Sequence, residues 1–167
     1  IFGFENGKNI ISIDPLYFDK ELKLGDKITG IQLRINTGNH QWLGEPSGKR
    51  KYCIPFNLDI DPNDFSIELA NQGVDKTYLV KRGLKIRDTD WPFGKPGVND
   101  WGPIINFDDN DFTYLGKNLV IIIKHSSPIK TYFDVTKTNL CKTTYSNQNK
   151  FNDYNACLDI RLEIDRN

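Results

Sequence analysis

Alternation of apolar and polar residues with a period of two dominates this chain. In residues 28–36, ITGIQLRIN, Ile31, Leu33 and Ile35 fall on one face and Gln32 and Arg34 on the other. Residues 64–70, DFSIELA, set Phe65, Ile67 and Leu69 against Ser66 and Glu68. Near the end, CLDIRLEI sets Leu158, Ile160, Leu162 and Ile164 against Asp159, Arg161 and Glu163. Successive side chains of a strand point to opposite faces, so each run predicts a half-buried strand with one wet face, as antiparallel sheets have.

The stretch DFTYLGKNLVIIIKHS, residues 111–126, breaks the rule. Five aliphatics follow one another at Leu119–Ile123, so Val120 and Ile122 make the second face apolar as well. This predicts a strand in mid-sheet, covered on both sides. Shorter strands are expected at 9–13, 77–80, 83–86, 104–107 and 131–135. A helical period of 3.6 is not sustained over any window longer than about ten residues, and 17–24 reads as a loop or a single turn. Two long insertions interrupt the strands, one over 37–63 and one over 87–101. Connections longer than about 12–15 residues are uncommon in compact domains and are often functional or interfacial. The whole, residues 1–167, reads as one all-β domain, an antiparallel β-sandwich of jelly-roll type with two long loop insertions.

Composition narrows the partners. At 167 residues the chain suits a single domain. Its 22 basic and 22 acidic residues balance, with no block of either sign, which removes the footprint expected of a nucleic-acid binder or a polybasic membrane anchor. Hydrophobic residues at 38% and aromatics at 12% fit a thin core with wet loops. No apolar run approaches the roughly 20 residues of a membrane helix, so no transmembrane segment is expected. The chain opens at Ile1 and holds no Met, in keeping with a fragment or with a processed chain that has lost a signal peptide.

Several constellations invite chemistry. Cys141 and Cys157 bracket CKTTYSNQNKFNDYNAC, read as a polar loop. A disulfide across it is worth about 3 kcal/mol; the alternative is two reduced, half-buried thiols. Cys53 is then left over. Neither His40 nor His125 has zinc-ligand spacing to a cysteine. His125 and Ser126 are neighbours on a strand end and so point apart, no Gly-x-Ser-x-Gly elbow exists, and His125 reads as the exit of a core strand rather than a catalytic base. Asp59, Asp61 and Asp64 in LDIDPNDF, and Asp108, Asp109 and Asp111 in FDDNDF, have the alternating oxygens a hard cation such as calcium takes. Ordinary turns favour Asp for the same spacing. Trp42, Trp91 and Trp101 all fall in the two insertions, with Tyr52 and Phe93 nearby, as anchors for a partner, stacking platforms for a glycan, or plugs for the sandwich ends. Lys49-Arg50-Lys51 reads as a solvated loop tip.

Taken in order, ITGIQLRIN, DFSIELAN, VKRGLKI, WGPIINFDDNDFTYLGKNLVIIIKHS and TYFDV resemble a β-sandwich domain of secreted bacterial proteins, of the kind that carries PEP-CTERM or Bacteroidetes secretion tails. The matching positions are Ile105, Phe107, Phe112, Tyr114, Gly116, Asn118 and 119–124, within a resemblance covering about residues 28–135. It departs at Asn110-Asp111, in the long insertion holding Trp42, and in the terminal cysteine loop. The resemblance implies export, agreeing with the expected disulfide, and brings no catalytic residues with it. The expectation is therefore a secreted, non-catalytic structural or adhesive protein of a cell surface or matrix, self-assembling as filament or layer, needing no cofactor. Edge strands at 9–13 or 158–164 would pair between copies. A polysaccharide-binding module using Trp42, Trp91, Phe93 and Trp101 is the alternative.

Overall fold

A computed structural model of the chain describes residues 7–18, 21–34, 58–60, 63–86, 101–108, 111–125, 135–147, 150–154 and 156–166. Among these the elements are β-strands and one 3-10 turn, Pro15–Phe18. The strands of the first half are β1 (Gly7–Ile13), β2 (Lys27–Leu33), β3 (Leu58–Ile60), β4 (Phe65–Asn71), β5 (Thr77–Arg82) and β6 (Leu84–Ile86). The second half adds β7 (Ile105–Asn106), β8 (Leu119–His125), β9 (Val135–Lys137) and β10 (Cys141–Asn147). It ends with β11 (Lys150–Tyr154), β12 (Ala156–Leu158) and β13 (Ile160–Asp165). All pairings are antiparallel, and the fold is the expected all-β sandwich.

One sheet has six strands in the order β11-β10-β1-β8-β4-β5; the facing sheet has three, β13-β2-β7. Two short ladders, β12-β9 and β3-β6, complete the set. The chain crosses between the two main sheets from β1 to β2, from β2 to β4, from β5 to β7, from β7 to β8 and from β11 to β13, which gives the fold its jelly-roll character. Inward side chains of both sheets make one core. Across the large sheet Ile11, Ile121 and Leu69 stand in register on neighbouring strands, each almost fully buried, and Ile28, Ile31 and Leu33 of β2 belong to the same cluster. Burying such a side chain contributes roughly 1.5–3 kcal/mol, so one row of three outweighs any ion pair at the surface, worth about 1 kcal/mol or less.

β8 lies mid-sheet between β1 and β4, as its unbroken aliphatic run predicts. Ile122, on its outer face, is buried, and the Lys124 ammonium pairs with the Glu68 carboxylate on that face. β2 begins one residue earlier than its alternation suggests. The register against β13 slips between Glu163 and Ile164, so Glu163 faces Gly30 and Ile164 faces Ile28. The extra residue in β2 lets Ile28 and Ile31, three apart, both point into the core. Gly30 is required by closeness to β7: a Cβ there would stand 2.9 Å from the Ile105 carbonyl oxygen.

The structure corrects four expectations. Residues 9–13 are not an edge. β1 is flanked by β10 and β8 on its two sides, so it offers no backbone for strand addition. The run 158–164 is not one strand, because it breaks at Asp159 between β12 and β13; Leu158, Asp159 and Ile160 are buried in succession. The stretch between the cysteines is a hairpin, not a loop: β10 pairs with β1 and β11 with β10. Its alternation is disguised because Thr143 takes an inward position, fully buried, with its hydroxyl donating to the Ala156 carbonyl at 2.7 Å. Finally, the acidic end of the first insertion contains β3, which pairs with β6.

Residues 111–115 lie in no sheet yet join both. Phe112 and Tyr114, two apart, are both buried in the core, with Tyr78 packed edge-on against Phe112. The Asn71 side-chain amide donates to the Thr113 carbonyl at 3.0 Å, and its oxygen accepts from the Leu115 N–H at 2.8 Å. Between these clamps, the Tyr114 N–H donates to the Asp26 carbonyl and the Gly25 N–H to the Tyr114 carbonyl, at 3.0 and 2.9 Å. Gly116 follows with φ of 69°, a left-handed turn that side chains resist, and launches β8. The Tyr114 hydroxyl is buried without a hydrogen-bond partner. Burial first, then the Asp14 carboxylate, raise its pKa above the ordinary phenol value. Asn71→Ala takes the partner from the Leu115 N–H and the Thr113 carbonyl, both only partly withdrawn from water, a loss of about 1–2 kcal/mol. In urea the midpoint should fall with an unchanged slope; an unchanged midpoint would show that the clamp is idle.

Candidate functional site

The residues that open and close the two long insertions come together in pairs. β2 delivers Arg34 to the start of the first insertion, and Trp101 stands at the end of the second. The Arg34 guanidinium lies over the Trp101 ring, 5.3 Å from its centroid. Beneath that contact, the Gln32 side-chain amide donates to the Gly102 carbonyl at 2.9 Å, and the Gly102 N–H donates to the Leu33 carbonyl at 2.9 Å. At the other two stems, Leu58 of β3 pairs with Ile86 of β6. The first insertion therefore leaves where the second returns, and returns where the second leaves. Both span the same two anchor points in opposite senses.

Arg34 is fixed in turn by Asp159, the residue that interrupts the last strand. Its guanidinium donates to one carboxylate oxygen, and the Thr136 hydroxyl donates to the other at 2.6 Å. The Asp159 side chain is only 10% exposed and that of Arg34 23%, so the pair is largely withdrawn from water and each partner needs the other. Tyr17 feels the same field. Burial first, then the Asp159 carboxylate, push its phenol above the ordinary value, against an opposing pull from Arg34.

The site residues expected from sequence fare unevenly. Trp101 is half-buried, with one face of its ring taken by Arg34. Trp42, Trp91 and Phe93 lie outside the described residues, as do Cys53 and Asp61. Asp59 lies on β3 opposite Lys85, and Asp64 is exposed in the turn before β4. Of the second acidic set, Asp109 is outside the described residues and Asp111 is exposed. Asp108 is committed elsewhere: its carboxylate accepts from the Lys81 ammonium at 2.5 Å and from the Arg82 N–H at 3.0 Å, while its own N–H donates to the Val80 carbonyl at 2.7 Å. Phe107, one residue earlier, donates to the Thr29 carbonyl, so this corner ties the outer edge of β5 to the facing sheet. Among the described residues no group of three His, Cys, Asp or Glu side chains is gathered to hold a metal. His125 is the last residue of β8, opposite Gly7 and Phe65. Cys141 and Cys157 form the expected disulfide, with Cα atoms 5.2 Å apart, joining the start of β10 to β12. No helix among the described residues is long and apolar enough to cross a membrane.

Sequence reasoning missed Arg34 and Asp159 because both sit at alternation positions that read as solvent-facing. Their opposite charges, one beside an insertion and one in the last strand, are the only signal, and nothing in the chain says they meet. Compared with family models, curated proteins and solved structures, the chain matches none.

Two outcomes follow from this geometry. Arg34→Ala strands the Asp159 carboxylate with only the Thr136 hydroxyl and should cost about 2–3 kcal/mol, whereas the double variant Arg34→Ala/Asp159→Ala should recover much of that loss. Additive losses in the cycle would show that the pair is not coupled. For Asp108, burial raises the pKa, but the Arg82 N–H and the Lys81 ammonium more than offset it, leaving the carboxyl below its ordinary 3.8. A depressed carboxylate contributes stability above the unfolded value and loses it as pH falls through the folded one. The stability gap between the wild type and Asp108→Asn should thus be present at neutral pH and shrink below 3.8. A gap that widens in acid would overturn this assignment.

Proposed function

We propose that the protein is a secreted, non-catalytic structural or adhesive component of a cell surface or matrix, which associates with copies of itself and meets its partners through the two paired insertions. The observation that carries this reading is the shared anchorage of the insertions, whose stems meet at Arg34 with Trp101 and at Leu58 with Ile86, since contact residues are disproportionately carried on loops set by a rigid scaffold. Three tryptophans belong to the insertions by sequence, and aromatic anchors dominate protein contacts. The Cys141–Cys157 disulfide favours an oxidising compartment, and the resemblance to secreted β-sandwich domains points the same way. The polar groups best placed for chemistry, those of Asp159, Arg34, Thr136 and Asp108, are engaged in bonds that hold strands and stems. A balanced net charge tolerates close self-packing.

A second reading has one observation in its favour. Trp101 stands at the root shared by the insertions that bear Trp42 and Trp91 in sequence, and aromatic rings suit the apolar faces of sugars. Arg34 covers one face of Trp101, so a glycan would use the other face or the other two rings. Negative-stain imaging and sedimentation of the protein at micromolar concentration, run beside a polysaccharide retention assay, separate the two. Ordered assemblies that weaken in Trp42→Ala/Trp91→Ala support the structural reading. Retention on a polysaccharide, lost in the same variant while the protein stays monomeric, replaces it with glycan binding. A monomer that retains no polysaccharide overturns both.

A further inference from the structure

The disulfide and the root of the insertions stand at two ends of one short chain of contacts. Cys157 belongs to β12, which pairs with β9 at Ala156 with Lys137, Cys157 with Thr136 and Leu158 with Val135. Among the described residues this ladder is two strands wide and belongs to neither main sheet. Ladders of that width are marginal by themselves, so its place is set by what ties it down. Two links run from it to the large sheet. One is the Cys141–Cys157 bond, and the other, one residue away, is the Thr143 hydroxyl donating to the Ala156 carbonyl at 2.7 Å. Leu158 adds apolar hold by its burial, but burial is nearly indifferent to direction. A covalent bond is not.

The same ladder carries the groups that position Arg34. Thr136, opposite Cys157, gives its hydroxyl to one Asp159 oxygen at 2.6 Å, and the other oxygen takes the Arg34 guanidinium. The pairing of Ile160 with Leu33 brings Asp159 alongside Arg34, while the bond from Thr136 decides which way its carboxylate faces. Arg34 in turn lies over the Trp101 ring. A continuous path therefore runs from Cys157 through Thr136 and Asp159 to Arg34 and the indole.

Both cysteines are buried, Cys141 at 3% and Cys157 at 0% exposure. Thiol–disulfide exchange needs access to sulfur, so the bond, once made and folded in, is kept. We propose that Cys141 and Cys157 form a redox latch on the stem of the two insertions. As it closes, the two thiols give up two electrons and two protons and gain one S–S bond, and a disulfide oxidant of the surroundings is reduced to two thiols. With the bond made, the ladder is fixed, the Asp159 carboxylate faces Arg34, and the guanidinium stays over Trp101. With two thiols in its place, the ladder shifts, Asp159 turns away, and Arg34 leaves the ring. The stem is then complete only in a chain that has met an oxidising compartment. This holds whether the insertions meet a protein or a glycan, and so rests on neither reading of their partner.

Trp42→Phe/Trp91→Phe leaves Trp101 as the single tryptophan, and acrylamide quenching of its emission reads the cover given by Arg34. The chain is compared oxidised and after dithiothreitol, with alkylation and intact mass confirming two freed thiols, and with Arg34→Ala as the uncovered reference. Reduction should raise quenching to the level of Arg34→Ala, which itself changes little on reduction, while circular dichroism stays that of the folded chain. Coupling between two equilibria is reciprocal, so Asp159→Ala should in turn shift the dithiothreitol concentration for half-reduction about five-fold lower or more. Quenching that ignores the state of the cysteines refutes the latch, as does an Asp159→Ala chain reduced at the wild-type concentration; the bond is then a clasp between β10 and β12 with no bearing on the stem. Reduction that unfolds the whole chain overturns it too, in favour of a staple for the entire fold.

Discussion

Two stacked sheets with apolar inner faces can slide over one another unless something outside the sheets fixes their offset. In this protein that task falls to residues 111–115. Hydrophobic burial holds the layers together, but it is nearly indifferent to direction. Direction comes from hydrogen bonds: Asn71, at the end of a strand in the large sheet, grips the segment at Thr113 and Leu115, while Asp26 and Gly25, leading into the small sheet, grip it at Tyr114. Phe112 and Tyr114 then enter the core between the layers. The same segment turns at Gly116 into β8, the strand with an aliphatic at every position from 119 to 123. The most buried strand thus starts from the point where the offset is set.

The rims follow from this arrangement. With the layers fixed, β2 ends where β7 begins to approach, and the Arg34–Asp159 pair holds the stems there. A withdrawn ion pair is a poor source of stability compared with apolar residues of equal volume. Its geometry is what a stem needs, since a guanidinium between a carboxylate and an indole ring fixes three chain segments at once. Asp108 does comparable work on another rim, where its carboxylate and N–H occupy backbone groups of the β5 edge that would otherwise be open to a foreign strand.

The residues that alternated cleanly with aliphatics were legible in the chain. β4 and β8 lie where their patterns place them, because an aliphatic at every second position has one way to leave water. What escaped was structure whose inward residues are not aliphatic. Thr143 is fully buried yet polar, satisfied by a single carbonyl, so β10 looked like a loop. Asp159 looked like solvent-facing alternation and proved to be the interruption between two strands. Position within a sheet was also beyond pattern: the run at 9–13 is short and resembles an edge, but the order of strands depends on partners more than a hundred residues away. The aromatic content of the insertions was plain from sequence, whereas the sharing of their anchor points is a property of Arg34 meeting Trp101 and Leu58 meeting Ile86.

The placement of β1 has a temporal side. It is the first of the described strands, and its two neighbours are β8 and β10, the latter ending at Asn147. Its backbone cannot be satisfied within the sheet until β10 is at hand, more than a hundred residues later. Closing so large a loop is entropically slow, and folds built from distant pairings form in milliseconds to seconds rather than microseconds. The large sheet thus closes around β1 only when β10 joins it, and the Cys141–Cys157 bond ties that same strand to β12.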